Sequence, residues 1–116
     1  MKPQRGRVKE GTRLPHADFD AQTFERQLEQ YKERVLIDVR TPREFNDGHL
    51  PGAVNIDIYD PGFLDRVSKL DRNRATFVYC RSGSRSYSAA LALTDMGFAT
   101  VFNLQRGIIG WHGAVE

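Results

Sequence analysis

Ala75-Thr76-Phe77-Val78-Tyr79-Cys80-Arg81-Ser82-Gly83-Ser84-Arg85-Ser86 is the stretch on which the fold turns. Its first five residues are uncharged and β-prone, which suits a strand buried on both faces. A short polar loop follows. From Tyr87 to Met96 the chain becomes Ala- and Leu-rich with a helical period. The only cysteine therefore stands where a buried strand ends and a helix begins. A helix N-terminus carries about half a positive charge and several unpaired N–H groups. Successive N–H groups in a tight loop make an anion-binding concavity, and Arg81 and Arg85 add two charges if they turn inward. A free thiol titrates near ~8.5, and such surroundings bring it into the range of roughly 3.5–7.5. Cys80 thus reads as a reactive thiolate rather than an inert buried thiol. The loop of Arg81, Ser82, Gly83, Ser84 and Arg85 would cradle an anionic substrate beside it.

Upstream, Val35-Leu36-Ile37-Asp38-Val39 is a second apolar run and reads as a central parallel strand. Thr41-Pro42-Arg43-Glu44 is a helix start, with Thr41 as N-cap, Pro42 at the first helical position and Glu44 closing a capping box. Asn46-Asp47-Gly48 ends that helix early. Asp38 and Arg40 at the strand end, and His49 in the next loop, read as groups that tie loops together rather than as catalysts. Val54-Asn55-Ile56 is a short strand, and Asp60-Pro61-Gly62 turns the chain. Phe63, Leu64, Val67 and Leu70 mark an amphipathic helix.

Nearer the start, Leu14 to Phe19 suggests a short edge strand, because it contains a proline. Asp20 caps a helix over Ala21 to Lys32, with Phe24, Leu28 and Tyr31 on one face. Downstream, Ala89 to Ala92, Leu93 and Met96 predict a tightly packing helix. Gly97 and Phe98 supply its C-terminal cap. Ala99 to Phe102 is the expected last strand, and Arg106 to Val115 a closing turn or helix in which Trp111 packs on the core.

Strands alternating with helices across short loops give an α/β fold with a mostly parallel sheet. Ligands of such sheets sit at the carboxyl ends of strands. The loops after Val39 and Tyr79 should therefore meet on one edge.

The chain has 116 residues, 40% hydrophobic and 28% charged, with a net charge of +2. These values suit one globular domain over 13–116. Residues 1–12, with Lys2, Arg5, Arg7 and Lys9, read as a flexible basic N-terminal arm. No dense basic block with interleaved aromatics points to nucleic acid, and no apolar run is long enough to span a membrane. A single cysteine forms no internal disulfide, and the sequence shows no signal segment. Both suit a cytoplasmic protein. Three His and one Cys show no metal-ligand spacing.

The sequence resembles the single-domain form of the rhodanese sulfurtransferases. Leu36-Ile37-Asp38-Val39-Arg40-Thr41-Pro42-Arg43-Glu44-Phe45, running on to Gly48-His49-Leu50-Pro51-Gly52-Ala53-Val54-Asn55-Ile56, carries the first half of the likeness. Val78 to Ser86 carries the second, and Leu104 to Trp111 a weaker third. The resemblance implies a rhodanese-like three-layer fold, with a largely parallel five-stranded sheet flanked by helices. It implies that Cys80 accepts sulfur from a donor such as thiosulfate. The resulting persulfide would be held by the N–H groups of Arg81 to Arg85. An acceptor such as cyanide or a thiol, including that of a thioredoxin-like protein, would then take the sulfur. It implies no metal and no organic cofactor. Asp38, Arg40, Glu44 and His49 match positions that in the family mainly brace the site.

An arginine beside the loop could hold the sulfonate end of thiosulfate. With no second cysteine, the acceptor must be external. The family often has two glycines, for a close backbone approach, where this chain has Arg106-Gly107. Two alternatives stay open. One is a sulfur-carrier or regulatory binding module. The other is a phosphatase or arsenate reductase, against which the loop length argues: related dual-specificity phosphatases have a loop one residue longer, roomier for a four-oxygen phosphate.

Overall fold

A computed structural model describes residues 16–116, so the arm expected over residues 1–12 lies outside the described residues. In chain order the elements are β1 (Ala17–Phe19), α1 (Ala21–Gln30), β2 (Arg34–Asp38), α2 (Pro42–Asp47) and β3 (Val54–Asn55). They continue with α3 (Phe63–Ser68), β4 (Ala75–Tyr79), α4 (Ser84–Asp95), β5 (Val101–Leu104) and a closing 3-10 turn (Ile108–Gly110). The five strands form one sheet in the order β1-β5-β4-β2-β3, and every pairing is parallel. The α/β class and the parallel sheet agree with the sequence; of the edge strand expected over Leu14 to Phe19, residues 14 and 15 lie outside the described residues, and β1 lies at the sheet edge.

The sheet is sandwiched between two apolar layers because side chains alternate along each strand. Ile37, Val39, Val78 and Cys80 face α3 and α4, where they meet Phe63, Val67, Ala89, Ala90 and Leu93. Leu36, Phe77, Tyr79 and Leu104 face α1, where they meet Phe24 and Leu28. The Phe24 and Phe77 rings meet edge to face at 5.3 Å. All five residues of β4 are buried, as a central parallel strand requires.

Local chemistry fixes several boundaries. The Asp20 carboxylate accepts from the Thr23 N–H at 2.8 Å and starts α1. The capping box at Thr41 and Glu44 is formed as read. At the end of α4 the Phe98 N–H donates to Leu93 and the Gly97 N–H to Thr94, both at 3.1 Å, a Schellman closure.

Four expectations need correction. Helix α1 stops at Gln30 instead of Lys32, because Tyr31 turns into extended backbone and packs on Phe77 and Phe102. Helix α4 begins at Ser84, three residues earlier than its apolar pattern suggests. Strand β5 begins at Val101 and not Ala99; the helix closure uses Phe98, and the Ala99 N–H goes to Arg72. Leu64 and Leu91 are exposed. On α3 the sheet side is taken by Phe63 and Val67, and on α4 by Ala89, Ala90 and Leu93. Trp111 packs against the second layer, 6.3 Å from the Phe24 ring.

The chain leaves β2 toward β3 on one side and returns to β4 on the other. The carboxyl ends of β2 and β4 therefore border a topological switch point, where open α/β sheets form their binding crevices.

Candidate functional site

At the end of β4 the backbone turns sharply into α4. Gly83 adopts φ 108°, a conformation that side chains with a Cβ rarely tolerate. A Cβ there would also overlap the Gln105 carbonyl. This turn puts Ser84, Arg85 and Ser86 in the first turn of α4, so the helix N-terminus starts directly under the Cys80 sulfur. The Gly83 N–H donates to Sγ at 3.1 Å. The Ser86 hydroxyl lies 3.4 Å from Sγ and 3.2 Å from the Gly83 carbonyl, within donating reach of both.

Cys80 is 1% exposed. Burial alone would push its thiol up. Hydrogen bonds from the Ser86 hydroxyl and from the N–H groups of Ser86, Gly83 and Ser82 outweigh that and bring it below the ordinary thiol value. The carbonyls of the same loop are turned to other work. The Ile108 N–H donates to the Cys80 carbonyl at 2.9 Å, and the Ile109 N–H to the Arg81 carbonyl at 3.2 Å. The closing turn thus holds the loop's acceptors away from the sulfur. Gly107 makes the approach possible: a Cβ at its φ of 66° would overlap the Arg81 carbonyl. The close backbone approach implied by the family resemblance is made by Gly107 alone, with Arg106 in the preceding position.

The two arginines of the loop differ. Arg85 forms a bidentate pair with Glu44 across the two loops, at 2.8 and 3.0 Å. Its guanidinium also lies over the Tyr59 ring at 5.8 Å. Arg81 is exposed. The loops after β2 and β4 therefore do meet, and the Glu44–Arg85 pair is what joins them. Arg85 holds the Glu44 carboxyl down at about 2, against the opposing effect of burial, with help from the Thr41 N–H.

The sign of the resulting pH dependence follows. Glu44 binds its proton more weakly in the folded protein than in the unfolded chain. Its stabilising effect is therefore complete above about pH 4.5 and is lost as pH falls toward 2. With the pair partly open to solvent, this amounts to about 1–2 kcal/mol. Glu44→Gln is expected to flatten that acid limb. Urea unfolding at pH 6 and pH 3 checks it: the difference in stability between the two variants should be larger at pH 6.

A second network forms around the end of β2. Arg40 donates to Asp38 from Nε and from Nη2, the latter at 2.7 Å, and to the Gly48 carbonyl at 2.7 Å. Both side chains are buried. Burial opposes the charge on Arg40, but Asp38 outweighs it and raises the guanidinium above its ordinary value. The Tyr79 hydroxyl accepts from the Leu50 N–H at 3.0 Å, and burial pushes this phenol well above its usual range. Asn55 donates to the Asp38 and Arg40 carbonyls. These bonds lock the end of β2 to the loop that follows it. His49 stacks on Phe45 at 3.8 Å, bonds to the Phe45 carbonyl through Nδ1, and faces Glu116 through Nε2. It ties the loop before β3 to Glu116.

Sequence reasoning missed Ser86 and Ile108 as parts of the site. Ser86 was visible as the last residue of the polar stretch. Its role required knowing that α4 starts at Ser84, so that residue 86 turns back under the sulfur. The Ser86 hydroxyl gives a direct test. Ser86→Ala removes the largest of the lowering influences on Cys80, so thiolate absorbance should appear at higher pH in that variant than in the wild type, with a cysteine-free variant as baseline.

The arrangement can stabilise a thiolate and, beyond it, a second anionic atom attached to that sulfur. The N–H donors are fixed before any ligand arrives. The chain is similar to several known proteins. The Rhodanese-like domain family matches residues 20–114. A sulfurtransferase of Allochromatium vinosum is 35% identical over 83% of this chain and 90% of its own length. The thiosulfate sulfurtransferase GlpE of Shewanella oneidensis is 32% identical over 76% of this chain and 85% of its own. The solution structure of the rhodanese-like domain of the Anabaena protein Alr3790 superposes with a TM-score of 0.74 at 30% identity. It covers 89% of this chain and 79% of that one.

Proposed function

This chain belongs to the rhodanese-like domain family, and from that premise we propose that it is a sulfurtransferase working through a Cys80 persulfide. The observation that carries this reading is the convergence of the Gly83 N–H and the Ser86 hydroxyl on Sγ at the N-terminus of α4. The Cys80 thiolate attacks the outer sulfur of a donor such as thiosulfate. A bond forms between Sγ and that sulfur, the sulfur–sulfur bond of thiosulfate breaks, and sulfite leaves with the bonding pair. The persulfide's terminal sulfur keeps the negative charge, and the remaining N–H groups of the loop stabilise it. An acceptor then attacks that sulfur, and Cys80 returns as a thiolate. Cyanide leaves as thiocyanate; a thiol leaves as its own persulfide. No redox partner is consumed.

The short loop and the donor set suit one sulfur anion better than a phosphoryl group. Steady-state assay of thiocyanate formation from thiosulfate and cyanide tests the reading. Turnover well above the uncatalysed rate is expected. Turnover of an aryl phosphate or arsenate exceeding that on thiosulfate would overturn it. A persulfide that forms but is never discharged would identify a carrier instead.

A further inference from the structure

One cavity is lined in part by the Cys80 loop, and a second by the turn that packs on it. On the side of α4, Ile58, Tyr59, Ser84, Arg85 and Ser88 line about 410 Å³. The arginine there is already paired with Glu44, so its charge is satisfied. In the closing turn, Arg106, Ile109, Gly110 and His112 line about 370 Å³. Arg106 has no ion-pair or hydrogen-bond partner for its guanidinium among the described residues. None of this second cavity's lining residues belongs to the Cys80 loop, but the turn that lines it packs on that loop. The residues on both sides of Arg106 pack against it, Gln105 on Gly83 and Gly107 on Arg81. The turn that lines the cavity donates its N–H groups to the carbonyls of Cys80 and Arg81.

The cavity has the volume of a small organic molecule and not merely of an inorganic ion. Its chemistry is mixed. Ile109 is 61% exposed and offers an apolar wall for a carbon chain. Arg106 offers a fork that matches a carboxylate, and the His112 imidazole offers a further ring nitrogen.

We propose that Arg106 and this cavity hold the carboxylate of a small thiol that accepts sulfur from Cys80. The proposal rests on the sulfurtransferase reading and assigns the acceptor class within it. The carboxylate pairs with Arg106, the carbon chain lies along Ile109, and the thiol reaches back toward the loop. The acceptor thiol loses its proton to solvent. Its sulfur bonds to the terminal sulfur of the persulfide, the Sγ–S bond breaks, and the electron pair returns to Cys80. Anionic thiols gain over neutral ones of the same size because only they pair with the Arg106 guanidinium.

The test has two arms. In the first, Cys80 is charged with thiosulfate and discharged by 3-mercaptopropionate or by the neutral 2-mercaptoethanol, in the wild type, Arg106→Gln and Arg106→Lys. Arg106→Gln is expected to lower kcat/KM for the carboxylated thiol about tenfold relative to the neutral one, with Arg106→Lys restoring part of the ratio. An equal loss with both thiols, or a loss confined to charging by thiosulfate, overturns the proposal. In the second arm, 3-(methylthio)propanoate, which cannot accept sulfur, is titrated into uncharged protein and followed by amide NMR. Shifts centred on Ile109, Gly110 and His112, absent in Arg106→Gln, support the site. Shifts elsewhere or none overturn it. The second arm stands without any persulfide, so a failure of the sulfurtransferase reading shows in the first arm alone.

Discussion

Cys80→Ser is expected to lower thiocyanate formation at least ~1,000-fold, to the level of the uncatalysed reaction. Every step proposed for this site passes through Sγ. A serine hydroxyl is not ionised near neutrality and cannot carry the transferred sulfur. Serine is the better substitution because the fold tolerates it. The sulfur sits in the apolar layer between the sheet and α4, but it also accepts the Gly83 N–H. A hydroxyl keeps that partner, whereas alanine leaves a buried donor unsatisfied at a cost of about 1–3 kcal/mol. Thermal unfolding should therefore show a small change, with Tm within about 8 °C of the wild type, while turnover disappears. Residual turnover of a tenth or more in Cys80→Ser would remove Cys80 from the mechanism.

Gly107→Ala should be nearly as damaging although residue 107 touches no substrate. Its Cβ would overlap the Arg81 carbonyl, and that carbonyl is itself held by the Ile109 N–H. Relief requires the closing turn and the Cys80 loop to separate, which disturbs the Gly83 N–H as well. Misplacing one preorganised donor costs about 100-fold or more in rate. The backbone conflict adds an expected loss of about 3 kcal/mol or more in stability. Gly52→Ala is the matched control. Gly52 also has positive φ, at 82°, but nothing lies near its would-be Cβ. It should lose about 1–2 kcal/mol from backbone strain alone and keep its turnover. Equal effects at the two positions would mean that the packing of residue 107 on the loop is not what positions the donors.

The parts legible in the sequence are those whose physics is local. The Asp20 cap, the Thr41–Glu44 capping box and the unbroken apolar run of β4 each depend on residues within a few positions, and each is present as read. The same holds for the placement of Cys80 at a strand–helix junction. What escaped the sequence depends on distance along the chain or on backbone angle. Arg85 looked like a free cation for the thiolate or substrate, and its partner Glu44 lies 41 positions away. The early start of α4 depends on the left-handed turn at Gly83, which the apolar pattern from Tyr87 onward does not register. At Gly107 the resemblance pointed to a close backbone approach but not to the group approached. The function of Gly107 is defined by a carbonyl on another segment. Tyr79, an apolar strand residue by pattern, holds the Leu50 backbone through its hydroxyl. The fold was thus more legible than the site, because strands and helices are written in short periods and a catalytic cradle is assembled from separate loops.

The most direct measurement is intact mass spectrometry of the purified protein after incubation with thiosulfate, followed by cyanide. The account predicts a gain of one sulfur atom, absent in Cys80→Ser and removed by cyanide with an equivalent of thiocyanate released. A folded protein with Cys80 reduced that gains no sulfur, or an adduct that persists in Cys80→Ser, would contradict it.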